Sequence, residues 1–207
     1  MILARRGETK WNVEEIFRGR TDIELKETGM KQAELLAEYL SHLKLEAVYS
    51  SPLKRAIKTA EIIADYHKLG VETAPELIDF NYGEWQGRLH QEVKDKYKEL
   101  YARWINSPEK IKIPAGESLN DVRERALNVV NNVVARYKGT VALVSHRVVK
   151  KVLICALLGL DFSHFWNIKQ DAGAVTTFTY QNERFTLTEH NNTSYLKPIH
   201  KAPLSDF

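Results

Sequence analysis

Two adjacent arginines, Arg5 and Arg6, close the first apolar run of the chain, Met1-Ile2-Leu3-Ala4. A third, Arg55, lies early in a helical segment that follows the strand-like run Ala47-Val48-Tyr49-Ser50. His146 stands directly after the apolar run that ends at Ser145, and it opens a helical segment. A guanidinium matches phosphate oxygens with two parallel hydrogen bonds, which an ammonium cannot do. Ligands of open α/β sheets gather beyond the carboxyl ends of the strands. Phosphoryl transfer through a protein nucleophile needs an attacking atom, cations around the equatorial oxygens, an acid for the leaving oxygen and helix N-termini facing the anion. A single arginine is more often solvated and a single histidine more often structural. Arginines beyond two separate strands are more informative. Ser145 lacks the Gly-x-Ser-x-Gly elbow of a hydrolase nucleophile.

The elements that must position these groups alternate between strand and helix, which argues for an α/β fold, three layers α/β/α around a mainly parallel sheet. Strands are expected at 2–5, 47–50, 71–74 and 140–145, and a hairpin at 174–180 and 184–189 around Gln181-Asn182-Glu183. Apolar spacing predicts a helix over 26–43, with Thr28 as its cap, and one opening at Ser51-Pro52, with proline in the first turn. Further helices are expected at about 90–105, 118–137 and 148–158. The chain reads as a single domain, 1–207, with a lid-like excursion at about 76–117. In that excursion Tyr82, Trp85 and Trp104 either touch substrate or pack the lobe's own small core. The residues from Asn191 onward read as a strap or frayed tail.

The segment Leu3-Ala4-Arg5-Arg6-Gly7-Glu8-Thr9 resembles the signature of the histidine phosphatase and cofactor-dependent phosphoglycerate mutase superfamily. Ser50-Ser51-Pro52-Leu53-Lys54-Arg55-Ala56, Leu77-Ile78-Asp79-Phe80-Asn81-Tyr82-Gly83-Glu84-Trp85-Gln86-Gly87, Gly116-Glu117-Ser118 and Val144-Ser145-His146 are similar to its other segments. The resemblance extends to about Tyr180 and implies a phosphoglycerate mutase-like fold. It assigns Arg5 and Arg55 to phosphate, Asn12 and Arg18 to phosphate or substrate, His146 to the transferring phosphoryl group and Asp79 to proton donation, with Glu84 as a rival acid. The family's attacking histidine falls at position 6. Here it is Arg6, whose guanidinium has no lone pair to attack phosphorus. Arg147 replaces a frequent glycine and either adds a cation to the pocket or faces solvent. A general acid at Asp79 would need a raised pKa.

The resemblance thus implies a hydrolase of small phosphate monoesters whose nucleophile is missing, with turnover lost or severely impaired. A phospho-ligand-binding pseudoenzyme is the alternative. A phosphoglycerate mutase is a weaker one, because only 28 residues separate Gly87 from Gly116. A net charge of +3, with acids and bases interleaved, gives no reason to expect nucleic acid. The lysines near Tyr97, Tyr101 and Trp104 read as a solvated helix face rather than an RNA surface. Cys155, the one cysteine, sits in an apolar run and reads as a core thiol. No metal or cofactor is expected, since no paired-ligand spacing occurs. His42, His67, His90, His164, His190 and His200 are scattered and read as structural or exposed. With no signal peptide or membrane-length apolar stretch, the default location is cytoplasmic. Neither substrate identity nor oligomeric state is legible, a homodimer being one option.

Overall fold

The computed structural model describes residues 1–199. The strands are β1 (Ile2–Arg5), β2 (Leu45–Ser50), β3 (Val71–Thr73), β4 (Thr140–Ser145), β5 (Val175–Gln181) and β6 (Arg184–Asn192). They form one sheet in the order β3-β2-β4-β1-β5-β6. The first four run parallel, β5 lies antiparallel to β1, and β6 antiparallel to β5. The helices are α1 (Lys10–Val13), α2 (Glu27–Leu40), α3 (Lys54–His67), α4 (His90–Lys96), α5 (Lys98–Asn106), α6 (Leu119–Arg136) and α7 (Arg147–Leu157).

Strand periodicity sorts the core into two layers. Ile2 and Ala4 of β1 pack with Leu36, Ala37 and Leu40 of α2 and with Ala56, Ala60 and Ile63 of α3. Leu3 points the other way, into a core with Val122, Ala126 and Val130 of α6 and Val149, Val152 and Leu153 of α7. Strands covered on both faces carry continuous apolar runs instead of alternation. The expected three-layer α/β/α architecture is therefore present. β1 and β4 pair directly, yet β1 leads to α2 on one face and β4 to α7 on the other. Their carboxyl ends part at this switch point and open a crevice. Arg5, Arg6, Ser145 and His146 stand at its edge.

Helix starts differ from the sequence expectation where the loops intervene. Lys26, not Thr28, caps α2, and Thr28 lies in its first turn. The loop after β1 sets this start, because the Lys26 N–H donates to Glu8 O at 3.1 Å. Pro52 does not begin α3, which starts at Lys54 after Leu53. The Ser51 N–H donates to Val144 O at 3.0 Å, so pairing with β4 continues past the end of β2 and delays the helix. The helix expected at about 90–105 is two helices, α4 and α5, broken at Tyr97 (φ −117°, ψ 44°). There the Tyr97 hydroxyl donates to Glu84 Oε2 at 2.9 Å. Of the strap or frayed tail expected from Asn191, the described part is ordered into elements, since β6 runs to Asn192 and a 3-10 turn follows at Ser194–Ile199. Its Leu196 is buried, and Tyr195 stacks on Tyr39 of α2 at 4.6 Å. Residues 200–207 of that expectation, and His200 with them, lie outside the described residues. Among the described residues no helix is long and apolar enough to cross a membrane.

The start of α2 is pressed against the loop after β1. A Cβ on Gly29 would lie 2.1 Å from Glu8 O, and one on Gly7 would lie 2.2 Å from Gly29 O. Both obstacles are backbone, which cannot swing aside. Helix propensity alone makes Gly29→Ala stabilising by about 1 kcal/mol. The contact makes it destabilising, by about 3 kcal/mol as an overpacked site. Urea denaturation of the variant reads the sign directly, and a gain in stability would refute the close approach.

Candidate active site

Arg5, the last residue of β1, is 5% exposed and donates through Nη1 to Gln170 O. Arg6 follows it into the crevice and is 1% exposed. Its Nη1 donates to Gly7 O at 2.6 Å and to Asn12 Oδ1 at 2.7 Å. Asn12 Oδ1 also accepts from the Thr9 N–H and hydroxyl, each at 3.0 Å, so this side chain steers Arg6 and ties the loop. Arg55, fully buried in the first turn of α3, donates to Thr21 O at 2.8 Å, Gly19 O at 2.7 Å and Asp79 Oδ2 at 3.1 Å. It pulls the loop that carries Arg18 over the crevice. Arg18 is half-buried and donates to Trp11 O at 3.0 Å.

His146 is fully buried at the position that caps α7. Its Nε2 lies 2.7 Å from Ser51 Oγ, and its Nδ1 lies 3.5 Å from Asp79 Oδ2. Asp79 Oδ1 accepts from the Phe80 N–H at 2.9 Å. Arg147 is buried and hydrogen-bonds the Tyr82 hydroxyl. Of the two readings open for Arg147, the cation at the pocket is the one that holds. It lines a narrow cleft with Phe17, Arg18, Asp79, Tyr82 and His90. The structure thus gathers all eight sequence-selected positions, Arg5, Arg6, Asn12, Arg18, Arg55, Asp79, His146 and Arg147, around the crevice.

The electrostatics of this cluster are lopsided. Burial, then repulsion from Arg18, Arg5 and Arg55, pulls Arg6 well below an arginine's usual value, with Asp79 opposing. Burial, then Arg147, Arg5 and Arg55, brings Arg18 down to about 9, again against Asp79. The guanidiniums keep their protons at neutral pH, so these directions register a shortage of negative charge. The Nε atoms of Arg6, Arg18 and Arg55 are buried with no protein acceptor.

Asp79 departs from the expected acid. Burial alone would raise its pKa, but His146, Arg55, Arg18 and Arg6 outweigh it and hold the carboxyl well below the usual range. The permanent charge of Arg55, in direct contact, is the cause that survives a neutral His146. Asp79 is therefore a carboxylate. Glu84, the rival acid, is exposed and occupied with Tyr97 outside the cleft lining.

Sequence reasoning missed four contributors. Glu117 accepts from Arg20 Nη2 at 2.7 Å, from Arg125 Nε at 3.0 Å and from the Asn81 N–H at 2.9 Å, which fixes the backbone beside Asp79. Arg125 also donates to Ile78 O at 2.7 Å. Ser51 lay inside the segment quoted for Arg55 and at the opening of a helix, with no role given to it. His90, grouped with the scattered histidines, stacks on Phe17 at 4.0 Å and lines the cleft. Conversely, Trp85 and Trp104 do not line the cleft. They are 0% and 2% exposed and pack edge-on against each other, and Trp104 packs with Phe80, Phe165 and Trp166. Among the described residues no cluster of His, Cys, Asp and Glu is suited to a metal ion.

Burial lowers His146 well below its usual value, reinforced by Arg55, Arg6 and Arg18 and opposed by Asp79. Burial, then Arg147 and Arg18, lowers His90 to about 4. Both folded-state values lie below that of the unfolded chain, about 6.5. Below that pH the unfolded state therefore binds up to about two protons that the fold refuses, and stability falls as pH drops. Thermal melts between pH 7 and 4.5 are expected to show a declining midpoint. A flat profile would contradict the lowered values of His146 and His90.

A sequence model of the histidine phosphatase superfamily (branch 1) matches residues 1–193. The chain belongs to the histidine phosphatase superfamily. It is 38% identical over 197 residues to phosphoserine phosphatase 1 of Hydrogenobacter thermophilus, covering 95% of this chain and 93% of that one. Among solved structures it is similar to Bacillus stearothermophilus YhfR, with a TM-score of 0.90 and 31% identity over 95% of this chain and 98% of that one. It is likewise similar to the mycobacterial glucosyl-3-phosphoglycerate phosphatase Rv2419c complexed with VO3, with a TM-score of 0.88 and 27% identity over 93% and 98% of the two chains. These relatives are phosphatases by name, and small phosphorylated molecules are the substrates that fit the family.

Proposed function

We propose that the crevice binds the phosphoryl group of small phosphate monoesters, with Arg6 standing where the family's attacking histidine stands. The observation that carries this reading is the buried cation cluster. Arg5, Arg6, Arg55 and Arg147 are each at most 8% exposed, and Asp79 is the carboxylate that faces them. A phosphate dianion would relieve the mutual repulsion and accept from the unpaired Nε donors. Without an imidazole at position 6, the phosphohistidine route is closed, and turnover by it is lost. Asp79 then serves as counter-ion to Arg55 and orients His146.

The free cleft is only about 10 Å³, roughly one water, so a monoester enters when Arg6 or the excursion over the crevice shifts. Arg18 and Arg147 both line the cleft and offer cations to a second anionic group. This favours a substrate that bears a carboxylate besides its phosphate, and phosphoserine is the first such compound to test. Titration calorimetry with inorganic phosphate is expected to show binding that weakens with salt. A protein that binds neither phosphate nor phosphoserine at low ionic strength would sink the cradle. The pseudoenzyme reading shares this cradle and differs only in having no turnover.

A further inference from the structure

The buried contacts around His146 form a chain that the phosphohistidine route does not use. Ser51 Oγ, His146 and Asp79 are connected at 2.7 Å and 3.5 Å, and the three residues are 0%, 0% and 5% exposed. We infer that Ser51 is the phosphoryl acceptor of this chain, activated by His146 and Asp79 beside the arginine cradle. The inference rests on the cradle reading, because the arginines must hold the phosphoryl group in front of Ser51.

Charge settles the direction of the proton. Asp79, in contact with Arg55 at 3.1 Å, is a carboxylate, so the facing Nδ1 of His146 carries the hydrogen. Nε2 is then an acceptor, and the Ser51 hydroxyl donates to it. The Leu53 N–H donates to Ser51 Oγ at 3.4 Å, which leaves the hydroxyl hydrogen for Nε2. A nucleophile next to a base that a third group orients is the general geometry of an activated hydroxyl. Nδ1 is buried without a hydrogen-bond partner and lies 3.5 Å from Asp79 Oδ2, so the step requires this contact to close to a hydrogen bond when substrate binds. The backbone supports the placement. Ser51 N donates to Val144 O at 3.0 Å, which pins Ser51 next to the strand that carries His146.

In the first half of the reaction, Ser51 Oγ bonds to phosphorus and the bond to the leaving alcohol's oxygen breaks. The Ser51 proton passes to His146 Nε2 and from there to the leaving alkoxide. In the second half, a water gives a proton to His146 Nε2 as its oxygen bonds to phosphorus, and the P–Oγ bond breaks. Ser51 recovers the proton from His146. The sum is monoester plus water giving alcohol plus phosphate, with no other reactant.

The test is to quench the protein in acid during turnover of radiolabelled p-nitrophenyl phosphate. Phosphoserine survives acid, whereas phosphohistidine does not. The expected result is an acid-stable label that peptide mapping places on Ser51. In Ser51→Ala the label should vanish and turnover should fall by about 100-fold, with inorganic phosphate still bound. An acid-labile label, a label on Ser50 or undiminished turnover in Ser51→Ala would overturn the assignment. No label in a chain that binds phosphate would overturn it and leave the cradle intact. No label and no phosphate binding would remove both. If Ser51→Ala fails to fold, the position of the label on the unaltered chain decides.

Discussion

Replacing Arg6 with histidine is expected to raise turnover of phosphate monoesters by roughly 100-fold or more, without added metal. The reason is local. Arg6 is 1% exposed and points into the crevice, and its guanidinium has no lone pair to offer phosphorus. An imidazole is smaller and, when neutral, has one free nitrogen. The Gly7 carbonyl, which accepts from Arg6 Nη1 at 2.6 Å, is left to accept from Nδ1–H, so that the lone pair on Nε2 is free. The substitution also removes one of the cations that hold the Asp79 carboxyl low, which moves that group toward the acid the reaction needs. The checks are kcat on a panel of monoesters including phosphoserine, and an acid-labile phosphoenzyme absent from the unaltered chain. Unchanged turnover in a folded variant that still binds phosphate would favour a binding module over a disabled phosphatase.

Arg55→Ala is expected to weaken phosphate binding about 100-fold, from the loss of a buried charge-assisted donor pair. It should also destabilise the fold by about 3–5 kcal/mol, because one partner of a buried ion pair is left without the other. Arg55 is fully buried and also holds Gly19 O and Thr21 O, so its removal frees the loop that brings Arg18 to the crevice. Arg55→Lys keeps the charge but not the fork, and should recover only part of the loss. Calorimetry with inorganic phosphate measures the first effect and urea denaturation the second. Unchanged affinity would show that the pocket has been assigned to the wrong residues. Adding Asp79→Asn to Arg55→Ala should return part of the lost stability, since the stranded carboxylate is then neutral.

The candidate positions could be picked from the chain because each is marked by its local sequence. Arg5 ends a strand, His146 precedes a helix, and Arg55 lies within the first turn of one. Ser51 escaped notice because its significance is a contact with His146, 95 positions away, and no spacing rule reports such a contact. Glu117 sat inside a quoted motif, yet its bonds to Arg20, Arg125 and Asn81 come from three different segments. The helix starts at Lys54 and Glu27 moved for a related reason. Local propensity favoured one residue, and strand pairing or a loop carbonyl favoured another. Trp85 and Trp104 looked equally suited to a lid or a core, because an aromatic ring serves either. Only the arrangement of the other rings around them shows that they are buried.

Residue identities, periodicity and motif spacing by themselves determined the α/β class and the family. These depend on which side chains exist and on the 2.0 and 3.6 residue repeats of strand and helix. Tertiary structure alone decided the burial of Asp79 and His146 among the arginines, the inward position of Arg147 and the approach of His146 to Ser51 and Asp79. Each of these depends on burial and on charges a few ångströms away that belong to distant parts of the chain, and Coulomb energy follows distance in space rather than along the sequence.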